Sequence, residues 1–126
     1  MITIKTENAP AAIGPYSQGI IANGLLFTAG QIPLDPKTMK LVEGSIVEQT
    51  TQVLKNLDAI LAESGSSWSR VVKTTVFLTD LNDFAQMNKT YAEHLNDSKP
   101  ARSTVQVAAL PLGAKIEIEL IAEIEK

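Results

Sequence analysis

Residues 99–125, KPARSTVQVAALPLGAKIEIELIAEIE, contain the pattern that decides the fold. From position 116 onward, apolar and acidic residues alternate with a period of two, which is typical of a β-strand with one buried face. Pro100 favours an extended chain at the start of an earlier strand, and residues 110–113 (LPLG) have the composition of a turn. The stretch therefore predicts two strands joined by a short turn. In the second strand the apolar face holds Ile116, Ile118, Leu120, Ala122 and Ile124, and the acidic face holds Glu117, Glu119, Glu123 and Glu125.

The first of these two strands carries an arginine. Val105 and Val107 fall on one of its faces, and Arg102, Thr104 and Gln106 fall on the other. If the two strands pair as a hairpin, this arginine would lie beside the glutamate near the start of the second strand. A fixed cation beside a carboxylate is the most pointed chemical feature of the sequence.

Two elements directly precede this stretch. Residues 71–78 (VVKTTVFL) are β-branched and apolar on both faces, which predicts a central strand. Asp80 or Asn82 is a suitable cap for a helix that runs to Leu95. The apolar stripe of this helix consists of Phe84, Met87, Tyr91 and Leu95.

The first half of the chain predicts three strands and one helix. Ser45 and Glu48 form a capping box at the start of the helix, and Gly65 ends it. The dipeptide Asn23-Gly24 favours a type I′ hairpin turn, which needs positive φ at both positions. The predicted strands cover residues 2–4, 18–22 and 25–31, and the loops between elements cover residues 6–16 and 33–44.

These elements predict a single domain over residues 1–126 with the order β-β-β-α-β-α-β-β. The fold class is α+β, with a six-stranded mixed sheet and two helices on one face. Two helices cover only one side of such a sheet, yet the strand at 71–78 has apolar residues on both faces. We therefore expect a second copy of the chain to cover the other side, as in a homo-oligomer.

The composition excludes several kinds of site. The chain has no cysteine and a single histidine, His94, so disulfides, thiolate nucleophiles and multi-histidine metal sites within one chain are excluded. A net charge of −3 does not favour a broad nucleic-acid surface. We find neither a signal peptide nor an apolar run of membrane-spanning length, so no membrane partner is expected and the expected location is the cytoplasm.

Five segments together resemble the Rid/YjgF family of reactive-intermediate imine deaminases. They occur in the family's order and cover nearly the whole chain. The segments are ENAPAAIGPYSQG (7–19), GQIPLDP (30–36), KTTVFLTDLNDFAQMN (73–88), PARSTVQVAALP (100–111) and IEIE (116–119).

The resemblance implies a chorismate-mutase-like fold that assembles as a homotrimer with clefts between subunits. It also implies hydrolysis of enamine and imine intermediates, such as 2-aminoacrylate with its tautomer 2-iminopropanoate, and 2-iminobutanoate. Such intermediates are released by pyridoxal-phosphate enzymes, and the products are a 2-oxo acid and ammonia. Members of the family need no metal and no organic cofactor for this reaction.

The resemblance also assigns roles to single residues. It implies that Arg102 binds the substrate carboxylate and that Glu117 and Tyr16 are catalytic. Further contacts are implied at Asn88 and at the main chain around Gly30. One departure is Thr104, where many relatives have a cysteine; a contact through the main chain there is preserved.

The residues alone leave other roles open. Arg102 fits a structural ion pair as well as a carboxylate clamp, and Tyr16 fits a packing role. Asn88 can line a cleft or satisfy the backbone of a neighbouring strand, because a polar group in an apolar stripe needs a partner. Glu117 and Glu119 share one face, so the sequence does not choose between them. His94 near a helix C-terminus is typical of a favourable dipole interaction.

Two other functions use the same features. A regulatory protein would hold a 2-oxo acid in the pocket and report it to a partner. A ribonuclease or translation inhibitor is less favoured, because RNA cleavage usually needs an acid–base pair and phosphate-binding cations.

Overall fold

The structure, a computed structural model, describes residues 1–124 and contains six strands and two α-helices in that range. The order β-β-β-α-β-α-β-β is confirmed. Glu125, predicted on the acidic face of the last strand, lies outside the described residues. The elements are β1 (Ile2–Ile4), β2 (Gly19–Ala22), β3 (Leu25–Thr28), α1 (Ile46–Glu63), β4 (Val71–Leu78), α2 (Phe84–Leu95), β5 (Ala101–Gln106) and β6 (Ile116–Glu123).

Local signals in the sequence account for the ends of several elements. Ser45 caps α1, and the reciprocal capping box with Glu48 is present. Asn23 and Gly24 have φ values of 52° and 76°, as a type I′ turn requires. Asp80 accepts a hydrogen bond from the Asn82 amide at the short 3₁₀ turn that precedes α2. The predicted capping box and the predicted turn are confirmed. The predicted cap of α2 is not, because Asp80 caps the 3₁₀ turn and Asp83, directly before α2, makes no capping hydrogen bond through its side chain.

The sheet has the strand order β1-β2-β3-β6-β4-β5, and the predicted hairpin between β5 and β6 is wrong. β4 lies between these two strands, parallel to β5 and antiparallel to β6. The physical reason is that β4, α2 and β5 form a β-α-β unit whose strands pair in parallel. The other edge of β4 is then left for β6, and the turn at 110–113 only brings the chain back across the end of β4.

The core lies between the sheet and the two helices, which pack on one face as predicted. One side of α1 is apolar and buried, namely Ile46, Val53, Leu54, Leu57, Ile60 and Leu61. Of the predicted α2 stripe, Met87, Tyr91 and Leu95 are buried, whereas Phe84 in the first turn is 37% exposed. On the sheet side, Ile116, Ile118 and Leu120 of β6 alternate with its acidic residues and are buried under the helices. The α+β fold class is therefore confirmed.

The second face of the sheet, which we call the open face, has no helix against it. Phe27 and Val105 point to it and are 41% and 43% exposed. In the pairing of β4 with β5, Val105 lies beside Phe77, and both side chains are on the open face. Arg102 lies beside the buried Thr74, so its side chain is on the helix side of the sheet. The two-sided apolar pattern of β4 thus leaves one apolar surface uncovered in a single chain.

We predict that this chain is a trimer in dilute solution, because the open face presents aromatic and aliphatic side chains to water. Light scattering should give three times the mass of one chain at micromolar concentration. A monomer mass would contradict both the trimer and any site that two chains share.

Candidate functional site

The candidate site residues form two separate clusters. Tyr16, Gly30 and Glu117 line a cleft of about 500 Å³, here called the carboxylate cleft. Asn88 and Arg102 line a second cleft of about 440 Å³, here called the arginine cleft. The sequence predicted members of both clusters, and each cluster is brought together by the fold.

The two clefts open on opposite faces of the sheet. Glu117 pairs with Phe77 and faces the open side. Arg102 pairs with Thr74 and faces the helix side. Because β4 also separates their strands, the expected side-by-side placement of Arg102 and Glu117 within one chain is wrong.

The backbone at Gly30 passes so close to the Glu117 carboxylate that a side chain at position 30 would collide with it. A Cβ atom on Gly30 would lie 2.5 Å from a carboxylate oxygen of Glu117, so any larger residue would displace that side chain. Two hydrogen bonds of 2.9 and 3.1 Å between the main chains of Gln31 and Ile118 hold the segments together. Tyr16 is 53% exposed in the same cleft, so its hydroxyl is accessible to a ligand.

Three buried side-chain amides fix the loops around the carboxylate cleft. Gln18 accepts a hydrogen bond from the Thr6 amide and donates to carbonyls in residues 6–10. Asn56 donates to the carbonyls of Ile32 and Leu34, and Gln49 connects the Val42 carbonyl to the Lys115 amide. None of these three roles was predicted from the sequence, although Gln49 and Asn56 place amides among the apolar residues of α1.

Glu117 is half-buried, and burial raises the pKa of its carboxyl above the usual 4.5, with repulsion from Glu119 as a second cause. The folded protein therefore binds this proton more tightly than the unfolded chain does. Its contribution to stability is complete below about pH 4.5 and is lost as pH rises through the folded-state pKa. A carboxylate of raised pKa is also a stronger base.

The arginine cleft holds Arg102 between side chains of α2. Its Nη1 atom donates a 2.7 Å hydrogen bond to Oδ1 of Asn88. The guanidinium carbon lies 4.9 Å from the ring centroid of Tyr91 and 5.6 Å from that of Phe84, within cation–π range. Asn88 takes one of the five N–H donors of the guanidinium.

Three hydroxyl groups complete the surroundings of the arginine. The Tyr91 hydroxyl shares a 2.8 Å hydrogen bond with the buried hydroxyl of Thr74, and burial raises the Tyr91 pKa. The ring under Arg102 is therefore anchored to β4. Thr104 lies on the same face of β5 as Arg102, and its Oγ1 atom is buried without a hydrogen-bond partner in the part of the chain that the structure describes.

His94 lies away from both clefts. Its Nε2 atom is 2.8 Å from Asp58 Oδ1, and Trp68 donates a 2.6 Å hydrogen bond to the same oxygen. The histidine therefore links α2 to α1 through its contact with the Asp58 side chain.

Over residues 1–124, no group of three or more His, Cys, Asp or Glu side chains is placed to hold a metal ion. Neither of the two α-helices in that range combines the length and the apolar character that a membrane span requires.

The fold and the two clefts together define a class of protein, an α+β domain with one cleft on each face of a single sheet. The sequence model of the Endoribonuclease L-PSP family matches residues 6–124, and the chain belongs to this family, the Rid/YjgF family. It is 58% identical to a RutC family protein of Pyrococcus horikoshii, over 94% of each chain.

Two further relatives have more specific names. The mouse protein named 2-iminobutanoate/2-iminopropanoate deaminase is 50% identical over 94% of this chain and 88% of its own. The crystal structure of E. coli TdcF with bound serine superposes with a TM-score of 0.94 at 42% identity, over 99% of this chain and all of TdcF.

We predict that Glu119→Gln lowers the pKa of Glu117, because the substitution removes the neighbouring negative charge. NMR titration of the side-chain carboxyl carbons measures this directly. Glu123→Gln, further along the same strand, is the matched control and should leave the titration unchanged. A wild-type pKa at or below 4.5 for Glu117 would contradict the described burial.

Proposed function

We propose that this protein hydrolyses 2-imino acids, such as 2-iminopropanoate and 2-iminobutanoate, to 2-oxo acids and ammonia. We further propose that it acts as a homotrimer, with each site shared by two subunits. The observation that carries this proposal is the division of the site: a clamped arginine in one cleft and a basic carboxylate in the other. Neither cleft alone has both groups that the reaction needs.

Arg102 binds the carboxylate of the substrate in this proposal. Its planar guanidinium matches a carboxylate through two parallel hydrogen bonds. The contacts from Asn88, Tyr91 and Phe84 hold the guanidinium in place before the substrate arrives. Thr104, two residues further along β5, contributes a contact through its main chain in this proposal.

Glu117 activates the attacking water. It accepts a proton as the water oxygen bonds to the C=N carbon and passes this proton to the imine nitrogen, which gives a carbinolamine. Glu117 then accepts the hydroxyl proton of the carbinolamine and delivers it to the same nitrogen as the C–N bond breaks, so ammonia leaves and the 2-oxo acid remains. Tyr16 hydrogen-bonds the nitrogen or the water, and the main chain at Gly30 lines the site beside Glu117.

The relatives support this choice among the possible functions. The mouse protein carries the name of an imine deaminase, and TdcF was crystallised with serine, a small amino acid that has the carboxylate required here. The proposed chemistry uses only the side chains already named, and it requires no metal or organic cofactor.

A coupled assay tests the proposal. A serine dehydratase generates 2-aminoacrylate in situ, and pyruvate formation is followed with and without this protein. Acceleration beyond the solvent rate supports the deaminase. Binding of 2-oxobutanoate without acceleration would instead favour a regulatory protein.

The family's description as an endoribonuclease makes RNA cleavage the second candidate function. Incubation of the protein with single-stranded RNA, in parallel with the imine assay, tests it.

Arg102→Lys should lose nearly as much turnover as Arg102→Ala. Lysine keeps the charge but lacks the planar fork, so the substrate carbon is no longer held in line with the water. The coupled assay measures both variants, and Lys89→Ala is the control, because it removes an exposed cation of α2 that lines neither cleft. Near wild-type turnover by Arg102→Lys would show that this residue acts only as a diffuse charge.

Glu117→Gln should lower kcat by roughly 10²–10⁴-fold, the range for a positioned general base. Binding of 2-oxobutanoate should remain, because Arg102 still holds the carboxylate. Glu119→Gln, on the same face but exposed, leaves the base in place and only lowers its pKa, so kcat should fall far less. Glu123→Gln, further along the same face and also exposed, is the matched control with little expected effect. Loss of activity in the Glu119 variant alone would move the catalytic role to that residue.

A further inference from the structure

Two apolar residues in left-handed backbone conformations line the carboxylate cleft. Met39 has φ of 58° and Leu112 has φ of 59°. This region of φ and ψ is unfavourable for residues with a large side chain. The other two non-glycine residues with positive φ in residues 1–124 are Asn23 and Asn96, a residue type that tolerates the conformation.

The turns themselves do not explain these two side chains. Met39 closes a turn in which its amide donates 2.8 Å to the Asp35 carbonyl, a main-chain bond that glycine makes equally well. Leu112 precedes Gly113, which also has positive φ, and its side chain is 69% exposed. Leu112 therefore contributes little to the core, and glycine or asparagine would suit its backbone better.

Most of the side chains that line the carboxylate cleft are apolar. Ile13, Ile32, Leu34 and Pro111 line it together with Met39 and Leu112, whereas its polar side chains include Glu117 and Tyr16. In one chain the cleft has a volume of about 500 Å³, and the proposed second chain closes its open side. The apolar side chains beside the carboxylate are suited to contact an apolar group of the substrate.

We propose that Leu112 and Met39 are specificity-determining residues that contact the side chain of the 2-imino acid and favour large apolar side chains over methyl. This inference rests on the proposed function. Strained backbone is typically retained at functional sites, where the side chain has a role that the turn alone does not require. Apolar contacts of this size discriminate between substrates by about tenfold or more.

The experiment compares two imines made in situ by an amino acid oxidase, one from leucine and one from alanine. The readout is the ratio of kcat/KM for the leucine-derived imine to kcat/KM for the alanine-derived imine. Leu112→Gly and Leu112→Asn should each lower this ratio about tenfold, while the midpoint of thermal unfolding stays level or rises. Leu112→Met keeps a large apolar side chain at this position and should therefore keep the wild-type ratio. Met39→Asn should shift the ratio in the same direction as Leu112→Gly.

Asn23→Gly is the matched control, since it changes a positive-φ residue in the turn between β2 and β3, away from both clefts. It should leave the ratio unchanged. An unaltered ratio in Leu112→Gly would overturn the inference while the proposed function stands. A change in oligomer mass in that variant would overturn it too, because Leu112 would then serve assembly. Failure of the wild-type protein to accelerate either imine would overturn the proposed function, and the inference with it.

Discussion

The pairing of β4 with β5 on one side and β6 on the other is the constraint on which the rest of the structure depends. It makes β4 a central strand, with β5 parallel to it after α2 and β6 antiparallel to it on the other side. It also decides the chemistry of the site, because Arg102 and Glu117 then lie on opposite faces with a strand between them. In the proposed function a ligand that needs both groups sits between two chains, and we propose that the second chain packs on the open face, where Phe27 and Val105 are exposed.

Each half of the site is rigid before a ligand binds. On one face, Gly30 allows the backbone to approach Glu117 so closely that a Cβ atom would lie 2.5 Å from its oxygen. On the other, the ring of Tyr91, anchored to Thr74, lies 4.9 Å from the Arg102 guanidinium. Preorganised groups of this kind need little rearrangement during a reaction. The raised pKa of Glu117 follows from the same half-burial that positions it.

Local signals were predictable from the sequence, whereas long-range pairing was not. The capping box of Ser45 and the Asn23-Gly24 turn depend on neighbours within a few residues, and both were predicted. The LPLG turn signalled that the chain reverses, but it held no information about which strand would lie beside β6. The same limit applies to the candidate site: its residues were proposed from the sequence, but the face of the sheet on which each lies depends on strand register, which the sequence did not give. Tyr91 was predicted only as part of an apolar stripe, because its hydroxyl partner lies on another element.

The central claim is that each site takes its arginine from one chain and its glutamate from another. Mixing the two inactive variants Arg102→Ala and Glu117→Gln, by joint unfolding and refolding, tests this most directly. In random trimers of a cyclic assembly, about a quarter of the interfaces combine an intact Arg102 with an intact Glu117. The account predicts recovery of about that fraction of wild-type imine hydrolysis. A mixture that assembles as trimers but stays as inactive as either variant alone would contradict it.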